Sequence, residues 1–293
     1  MPATLVAPEF YERLDRLSLV SRRRLLGFGK GDRRSLRRGT SLEFVDYRPY
    51  TSGDDPRQVD WNIYGRSGAL FVKLFEEEEV LTVHLLVDTS RSMDWGSSNK
   101  LLFARRLAAA LGYISLVGQT RLQATSLSEK VDRSFGPAWG RRQMPELVRF
   151  LEESEVGKGS TDLDTAIAGY IQRAREPGLA ILVSDLLTPK FELGIRRLID
   201  RRFEVVVLHI LAPEEVEPPM SGDLTLIDRE SGVEVPITLN QEAVERYRRR
   251  FADWSAAIES FCSRHQVSYL RLMSDERLEH VLFDKLRRRG VLR

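Results

Sequence analysis

An α/β fold with a doubly wound, mostly parallel sheet is predicted for this chain of 293 residues, and three observations carry the prediction. Short apolar, β-branched runs at Leu81–Val87, Gly178–Val183 and Phe203–Leu211 are bounded by turn formers, as strands buried on both faces must be. Segments with apolar positions at three- and four-residue steps alternate with these runs, and that alternation is the signature of a parallel sheet covered by helices. Two of the runs end abruptly in acids, Asp88 and Asp185. The carboxyl edge of such a sheet is where loops line a ligand crevice, at the point where strand order reverses.

Taken in order, Pro8 to Leu26 shows apolar residues at Phe10, Leu14, Leu17, Val20 and Leu25, which predicts one amphipathic helix. A basic, glycine-punctuated run follows from Arg22 to Arg38, with no GKS or GKT to close it as a phosphate loop. It reads as a solvated loop before it reads as a nucleic-acid surface. From Ser41 to Gly68, acids and arginines are interleaved with Phe44, Tyr47, Tyr50, Trp61 and Tyr64. The Glu43 to Arg48 alternation is strand-like, and Asp54 or Asp55 before Pro56 reads as a helix N-cap. That density of opposite charge predicts bidentate ion pairs in either a structural latch or a recognition surface.

A helix is expected from Lys100 to Val117, a strand pair at Leu122–Leu127 and Val131–Phe135, and helices at Gln143–Glu153, Asp162–Ala174 and Phe191–Ile199. The rhythm then breaks. Leu224–Asp228 and Val233–Leu239 around Arg229-Glu230-Ser231-Gly232 predict a β-hairpin inserted at about 222–239. Gln241–His265 is a long helix, Val267–Met273 a last strand, and Asp275–Leu286 a closing helix. The division expected is an extension, residues 1–79, packed on a main domain, residues 80–293.

No apolar run approaches the roughly 20 residues that span a bilayer, and the charged start MPATLVAPEFYERLDRL lacks the apolar core of a signal peptide. A cytoplasmic protein is expected. The lone Cys262 excludes an intrachain disulfide and reads as a buried thiol. Net charge is only +2, so charge balance singles out no partner, and nucleic-acid binding through Arg22–Arg38 is the weakest of the functional options.

The candidate site starts at Asp88-Thr89-Ser90-Arg91-Ser92, where a carboxylate and two hydroxyls at alternate positions can aim oxygens at one point. Thr161, in the loop GKGSTD, and Asp185 belong to the same sheet edge. Oxygen donors without neighbouring Cys or His suit a hard cation, Mg²⁺ or Mn²⁺. The alternative for Asp88 and Ser92 is turn and capping chemistry, and for Asp185 a strand-terminating turn. His84, His209, His265 and His280 lack zinc spacing, and no G-x-S-x-G surrounds Ser90 or Ser92. Neither a histidine nor a lysine is placed by sequence as a general base, so no catalytic residue is assigned.

This order, D-x-S-x-S, then a threonine after a glycine-rich loop, then a strand-end aspartate, resembles the metal-ion-dependent adhesion site of von Willebrand factor A domains. The resemblance implies Ser90, Ser92 and Thr161 as direct ligands, Asp88 and Asp185 as holders of coordinated water, and an open position for a partner's Glu or Asp. The string Glu43-Phe44, Asp46, Arg48, Tyr50, Gly53-Asp54-Asp55, Arg57, Asp60-Trp61, followed by Val72-Lys73 and Glu76 to Glu79, is similar to the bacterial family called domain of unknown function fifty-eight. Those are von Willebrand A-like proteins typically encoded beside MoxR-type AAA+ ATPases, and this chain resembles the branch without membrane helices. The function implied is a non-enzymatic, metal-dependent interaction module serving such an ATPase as adaptor or assembly factor. The alternative is a Mg²⁺-dependent phosphohydrolase using Asp88 and Asp185.

Overall fold

The computed structural model describes residues 5–21, 42–77, 80–128, 131–157, 162–218, 222–227 and 233–293. The basic run from Arg22 to Arg38, Thr161 and the hairpin turn at 229–232 lie outside the described residues. The chain divides into two compact units, Met1–Phe28 with Leu81–Arg293, and Gly29–Val80.

The larger unit holds helix α1 (Pro8–Leu14), then, beyond the smaller unit, a six-stranded sheet with its helices. In the smaller unit, strands β1 (Leu42–Pro49) and β2 (Phe71–Glu77) pair antiparallel, with a bulge between Phe44 and Asp46. Helix α2 (Trp61–Ser67) lies between them in sequence. Arg48 grips Asp54 in a fork, with Nη1–Oδ2 at 2.6 Å and Nη2–Oδ1 at 2.5 Å, and this holds the Asp54 carboxyl well below the usual range. Asp60 caps α2 through the amides of Asn62 and Ile63, accepts from the Tyr47 hydroxyl and pairs with Lys73 at 3.1 Å. Asp55 caps only a single 3₁₀ turn, Pro56–Gln58. Of the charges predicted to pair, Arg48 and Asp54 form a bidentate pair, while Asp55 and Asp60 serve as helix caps.

The main sheet is built from β3 (Thr82–Asp88), β4 (Arg121–Leu127), β5 (Val131–Ala138), β6 (Leu179–Ser184), β7 (Glu204–Leu211) and β10 (Ser268–Met273). Their spatial order is β10-β7-β6-β3-β4-β5, all parallel except the edge strand β5. Counted within the sheet this is the doubly wound order 3-2-1-4-5-6, whose reversal falls between β3 and β6. All seven residues of β3 are buried. Because side chains alternate across a strand, Val83, Leu85 and Val87 enter one core while Leu86 enters the other. Burial of each such side chain contributes about 1.5–3 kcal/mol.

On the first face lie α1, α3 (Lys100–Val117), α4 (Met144–Glu153) and the carboxyl-terminal helical turns, Leu278–His280 running into a π-helical stretch, Val281–Leu286. The second face is covered by α5 (Leu163–Arg173), α6 (Phe191–Asp200) and part of α8 (Gln241–Arg264). A short helix, α7 (Pro213–Val216), follows β7, and the antiparallel pair β8 (Gly222–Ile227) and β9 (Glu234–Leu239) precedes α8. The backbone at Gly178 passes so close to Thr82 that a Cβ would lie 2.0 Å from the Thr82 carbonyl oxygen, so β6 can dock on β3 only with glycine there. No described helix is long and apolar enough to cross a membrane.

One expectation fails at the amino terminus. The helix predicted from Pro8 to Leu26 stops at Leu14. Beyond it, Ser18 exchanges backbone hydrogen bonds with Arg293 and the Val20 amide donates to the Val291 carbonyl, so these segments pair extended and that pairing replaces further helical bonds. Phe10, Leu14 and Leu17 are nevertheless buried in the first core. The closing helix from Asp275 also differs, being a short α turn followed by π-helical geometry.

Candidate functional site

At its carboxyl end β3 turns from Asp88 through Ser90 into a 3₁₀ turn, Arg91–Met93, and the reason is local. The Ser90 amide donates to Asp88 Oδ1 at 2.8 Å, an Asx-type turn that bends the chain and fixes one carboxylate oxygen. The other oxygen, Oδ2, accepts from Ser184 Oγ of β6 at 2.6 Å, and Ser184 Oγ accepts from the Leu186 amide at 3.0 Å. Ser90 Oγ and Ser92 Oγ are 3.0 Å apart. Burial and the neighbouring charge of Asp185 push the Asp88 carboxyl up, against the pull of its Ser184 and Ser90 hydrogen bonds. The structure thus gathers Asp88, Ser90, Ser92 and Asp185 at one end of adjacent strands. Asp88 is not held there by repulsion alone, as a bare strand-end acid would be, because two donors satisfy it.

Thr161 lies outside the described residues, but the chain on either side of it is placed. The Gly157 amide donates to the Thr89 carbonyl at 2.8 Å, and a Cβ on Gly157 would come within 2.9 Å of Ser128 Cβ. Asp162 caps α5 through the amides of Asp164 and Thr165. On the described sides of Thr161, Gly157 is tied to Thr89 and Asp162 to the first turn of α5.

Around Asp185 the structure adds residues that sequence reasoning missed. Lys100, the first residue of α3, is fully buried and donates to Asp185 Oδ2 at 2.7 Å and to Glu215 Oε1 at 2.6 Å. Burial pulls the Lys100 ammonium down, but the charges and hydrogen bonds of the two carboxylates outweigh it, so it stays a cation. Burial pushes the Glu215 carboxyl up, with Lys100 opposing. Glu215 also accepts from the Ala212 amide at 2.7 Å, and Glu214 accepts from the Ser97 amide at 3.0 Å, so α7 clamps the loop that leads into α3. His209 is 2.9 Å from the Asp185 carbonyl through Nε2 and 2.8 Å from the Tyr269 hydroxyl through Nδ1. Burial pushes its ring down to about 4, so it is neutral at pH 7. In the neutral ring Nε2 donates to the carbonyl and Nδ1 accepts from the hydroxyl.

The sequence places no lysine as a general base, and the structure brings Lys100 to the site as a counter-ion gripped by two carboxylates. Its sequence signal was a cation in the first helical turn, where the macrodipole favours an acid. Ser184 and His209 were legible as polar breaks in the apolar runs ILVS and VVVLHIL. Among the described residues no three His, Cys, Asp or Glu side chains group so as to hold a metal, so a cation here would rest on hydroxyl oxygens as well as carboxylates.

A doubly wound, mostly parallel sheet flanked by helices, with carboxylates and hydroxyls at its switch point, defines an α/β domain of the open-sheet class. Within that class, the chain belongs to the family described as Protein of unknown function DUF58, whose profile matches residues 46–276. Uncharacterized proteins of Mycobacterium tuberculosis and Mycobacterium bovis are each 29% identical over 292 residues, covering 97% of this chain and 92% of theirs. One from Mycobacterium avium is 32% identical over 136 residues, covering 45% of this chain and 79% of its own. Among solved structures, conserved hypothetical protein BatB from Bacteroides thetaiotaomicron is similar with a TM-score of 0.45 at 13% identity, covering 72% of this chain and 98% of that one. An aerotolerance-related membrane protein from Bacteroides fragilis gives a TM-score of 0.41 at 14% identity, covering 66% of this chain and 91% of that one.

Proposed function

We propose that this protein is a non-enzymatic, metal-dependent protein-interaction module with a von Willebrand A-like domain, working with a MoxR-type AAA+ ATPase as adaptor or assembly factor. The observation that carries the reading is the charge imbalance at the switch point. Lys100 pairs with Asp185 and Glu215, while Asp88 stands in the field of Asp185 with only hydroxyl and amide donors on it among the described residues. Two negative charges are left over in a buried setting when all are ionised, and one divalent cation offsets them. The Ser90 and Ser92 hydroxyls beside Asp88 supply the neutral oxygens that Mg²⁺ or Mn²⁺ takes. Asp88, Ser90, Ser92, Asp185 and Thr161 are the residues that would hold it. When bound, the ion would supply an electrophile for a partner's Glu or Asp.

Catalysis is disfavoured by the surroundings. Lys100 is committed to two carboxylates, and His209 is neutral with both ring nitrogens engaged. The alternative, a Mg²⁺-dependent phosphohydrolase using Asp88 and Asp185, rests on the raised Asp88 carboxyl, which could serve as an acid or base. Thermal denaturation of the purified chain with MgCl₂ or MnCl₂ separates these readings when paired with a phosphate-ester assay. The binding-module reading expects a cation-dependent rise in melting temperature, its loss in Asp88→Ala, capture of a purified MoxR-type ATPase only with the cation, and no turnover. Ester hydrolysis that needs Mg²⁺ and disappears in Asp88→Ala would give the site to the enzyme.

A further inference from the structure

The first helical residue of α3, Lys100, is fully buried, and its ammonium lies 2.7 Å from Asp185 Oδ2 and 2.6 Å from Glu215 Oε1. Its place is fixed from the backbone outward. The Lys100 amide donates to the Trp95 carbonyl at 3.0 Å, and Asn99 just before it caps the helix through the Leu102 amide at 2.9 Å. Asp185 is pinned as well. Its Oδ1 accepts from the Leu187 amide at 3.1 Å, and its carbonyl is 2.9 Å from His209 Nε2. A cation ligated directly by Asp185 would compete with the ammonium for Oδ2 or with an amide for Oδ1, and in either case would meet a carboxylate whose charge Lys100 already offsets. Asp88 differs, since only hydroxyl and amide donors reach it among the described residues. The cluster thus presents one carboxylate without a counter-ion, beside the Ser90 and Ser92 hydroxyls 3.0 Å apart.

We infer, resting on the metal-dependent reading of this site, that Lys100 sets its cation selectivity, holding Asp185 back so that the site takes Mg²⁺ and discriminates against Ca²⁺. Ca²⁺ gathers about six to eight oxygens and favours several carboxylates, some of them bidentate, whereas Mg²⁺ keeps several waters and is held by roughly one or two carboxylates. A carboxylate without a counter-ion and two hydroxyls match the second demand and fall short of the first. Loss of the ammonium would strip Asp185 and Glu215 of their shared partner, and Asp185 would become available as a second direct carboxylate. The change favours Ca²⁺ over Mg²⁺, because the larger ion gains most from an added anionic oxygen and gives up its water more readily. Lys100 therefore acts through Asp185 and is not itself a ligand.

The test titrates the full native chain, Lys100→Met and Glu215→Gln with MgCl₂ and with CaCl₂, reading affinity by calorimetry alongside the shift in melting temperature. The native chain should bind Mg²⁺ more tightly than Ca²⁺, and in Lys100→Met that preference should fall about ten-fold or more through a gain in Ca²⁺ affinity. Glu215→Gln leaves the ammonium to Asp185 alone and should keep the preference for Mg²⁺ at its native value or above it. If Lys100→Met does not fold, the native chain and Glu215→Gln decide the outcome. A native chain that binds Ca²⁺ as tightly as Mg²⁺, a preference unchanged in Lys100→Met, or one lost in Glu215→Gln would each overturn the role of Lys100 while the cation site itself stands. Binding of neither cation by the native chain would remove the cation site, and the role of Lys100 with it.

Discussion

Replacing Lys100 by Met tests the electrostatic account of the site, because the side chain keeps its approximate length and loses only its charge. In the native chain the ammonium is fully buried and lies 2.7 Å from Asp185 and 2.6 Å from Glu215. Removing one partner of a buried ion pair leaves uncompensated charge and costs about 3–5 kcal/mol. Here two carboxylates lose their counter-ion together, so the upper half of that range is expected at pH 7. With a urea m-value of about 3 kcal/mol/M, the unfolding midpoint should fall by more than about 1 M. The pH dependence distinguishes charge from packing. An acid whose folded pKa is raised binds protons in the native state before the unfolded state does, so stability rises as pH falls through that window. Asp88 and Glu215 already lie high, and loss of Lys100, which opposes the rise at Glu215, moves Glu215 further the same way. The deficit of Lys100→Met should therefore shrink between pH 7 and pH 5. A variant within about 0.5 kcal/mol of the native chain at pH 7 would refute the argument. So would a deficit equal at both pH values, which would assign the role of Lys100 to packing.

Three further outcomes are expected. Stabilisation by MgCl₂ should grow from pH 5 to pH 7.5, because Asp88 is pushed up to about 6 and a protonated carboxyl competes with the cation; a pH-independent melting shift would count against Asp88 as part of the cation site. Gly178→Ala should cost about 3 kcal/mol or more, since its Cβ would sit 2.0 Å from a backbone oxygen of Thr82, and circular dichroism of a variant as stable as the native chain would show that β3 and β6 dock otherwise. Cys262 is buried and its thiol is pushed up to about 12, so a disulfide-exchange reagent should label it only after unfolding; rapid labelling of the native chain would contradict that burial.

The fold was legible where burial dictates composition. A strand covered on both faces must be apolar throughout, and Leu81–Val87, Gly178–Val183 and Phe203–Leu211 meet that condition, so the three central strands could be placed by composition alone. Elements whose partners lie far away in sequence were less legible. The stretch after Leu14 carries helical spacing, yet Ser18 and Val20 find their backbone partners in Val291 and Arg293, more than 270 positions on. Local periodicity contains no information about such a partner. The β8–β9 pair was legible for the opposite reason, since its register of Gly222 with Leu239 and Ile227 with Glu234 is set by a short connection.

The candidate site divides along the same line. Asp88, Ser90 and Ser92 are neighbours in the chain, so their convergence follows from one turn, and Asp185 follows from the rule that parallel strands end at a common edge. Lys100 and Glu215 reach the same point from elements more than a hundred residues apart, through side-chain length, which strand and helix patterns do not report. Their pairing was visible only as broken local rules: a lysine in the first turn of a largely apolar helix, and an acid two residues past the proline that follows β7. Each residue is unfavourable or unremarkable alone and becomes intelligible once the other is beside it. Polar residues that violate the preference of their own element are therefore the ones to test for long-range partners first, because the stabilisation that retains them has to come from outside that element.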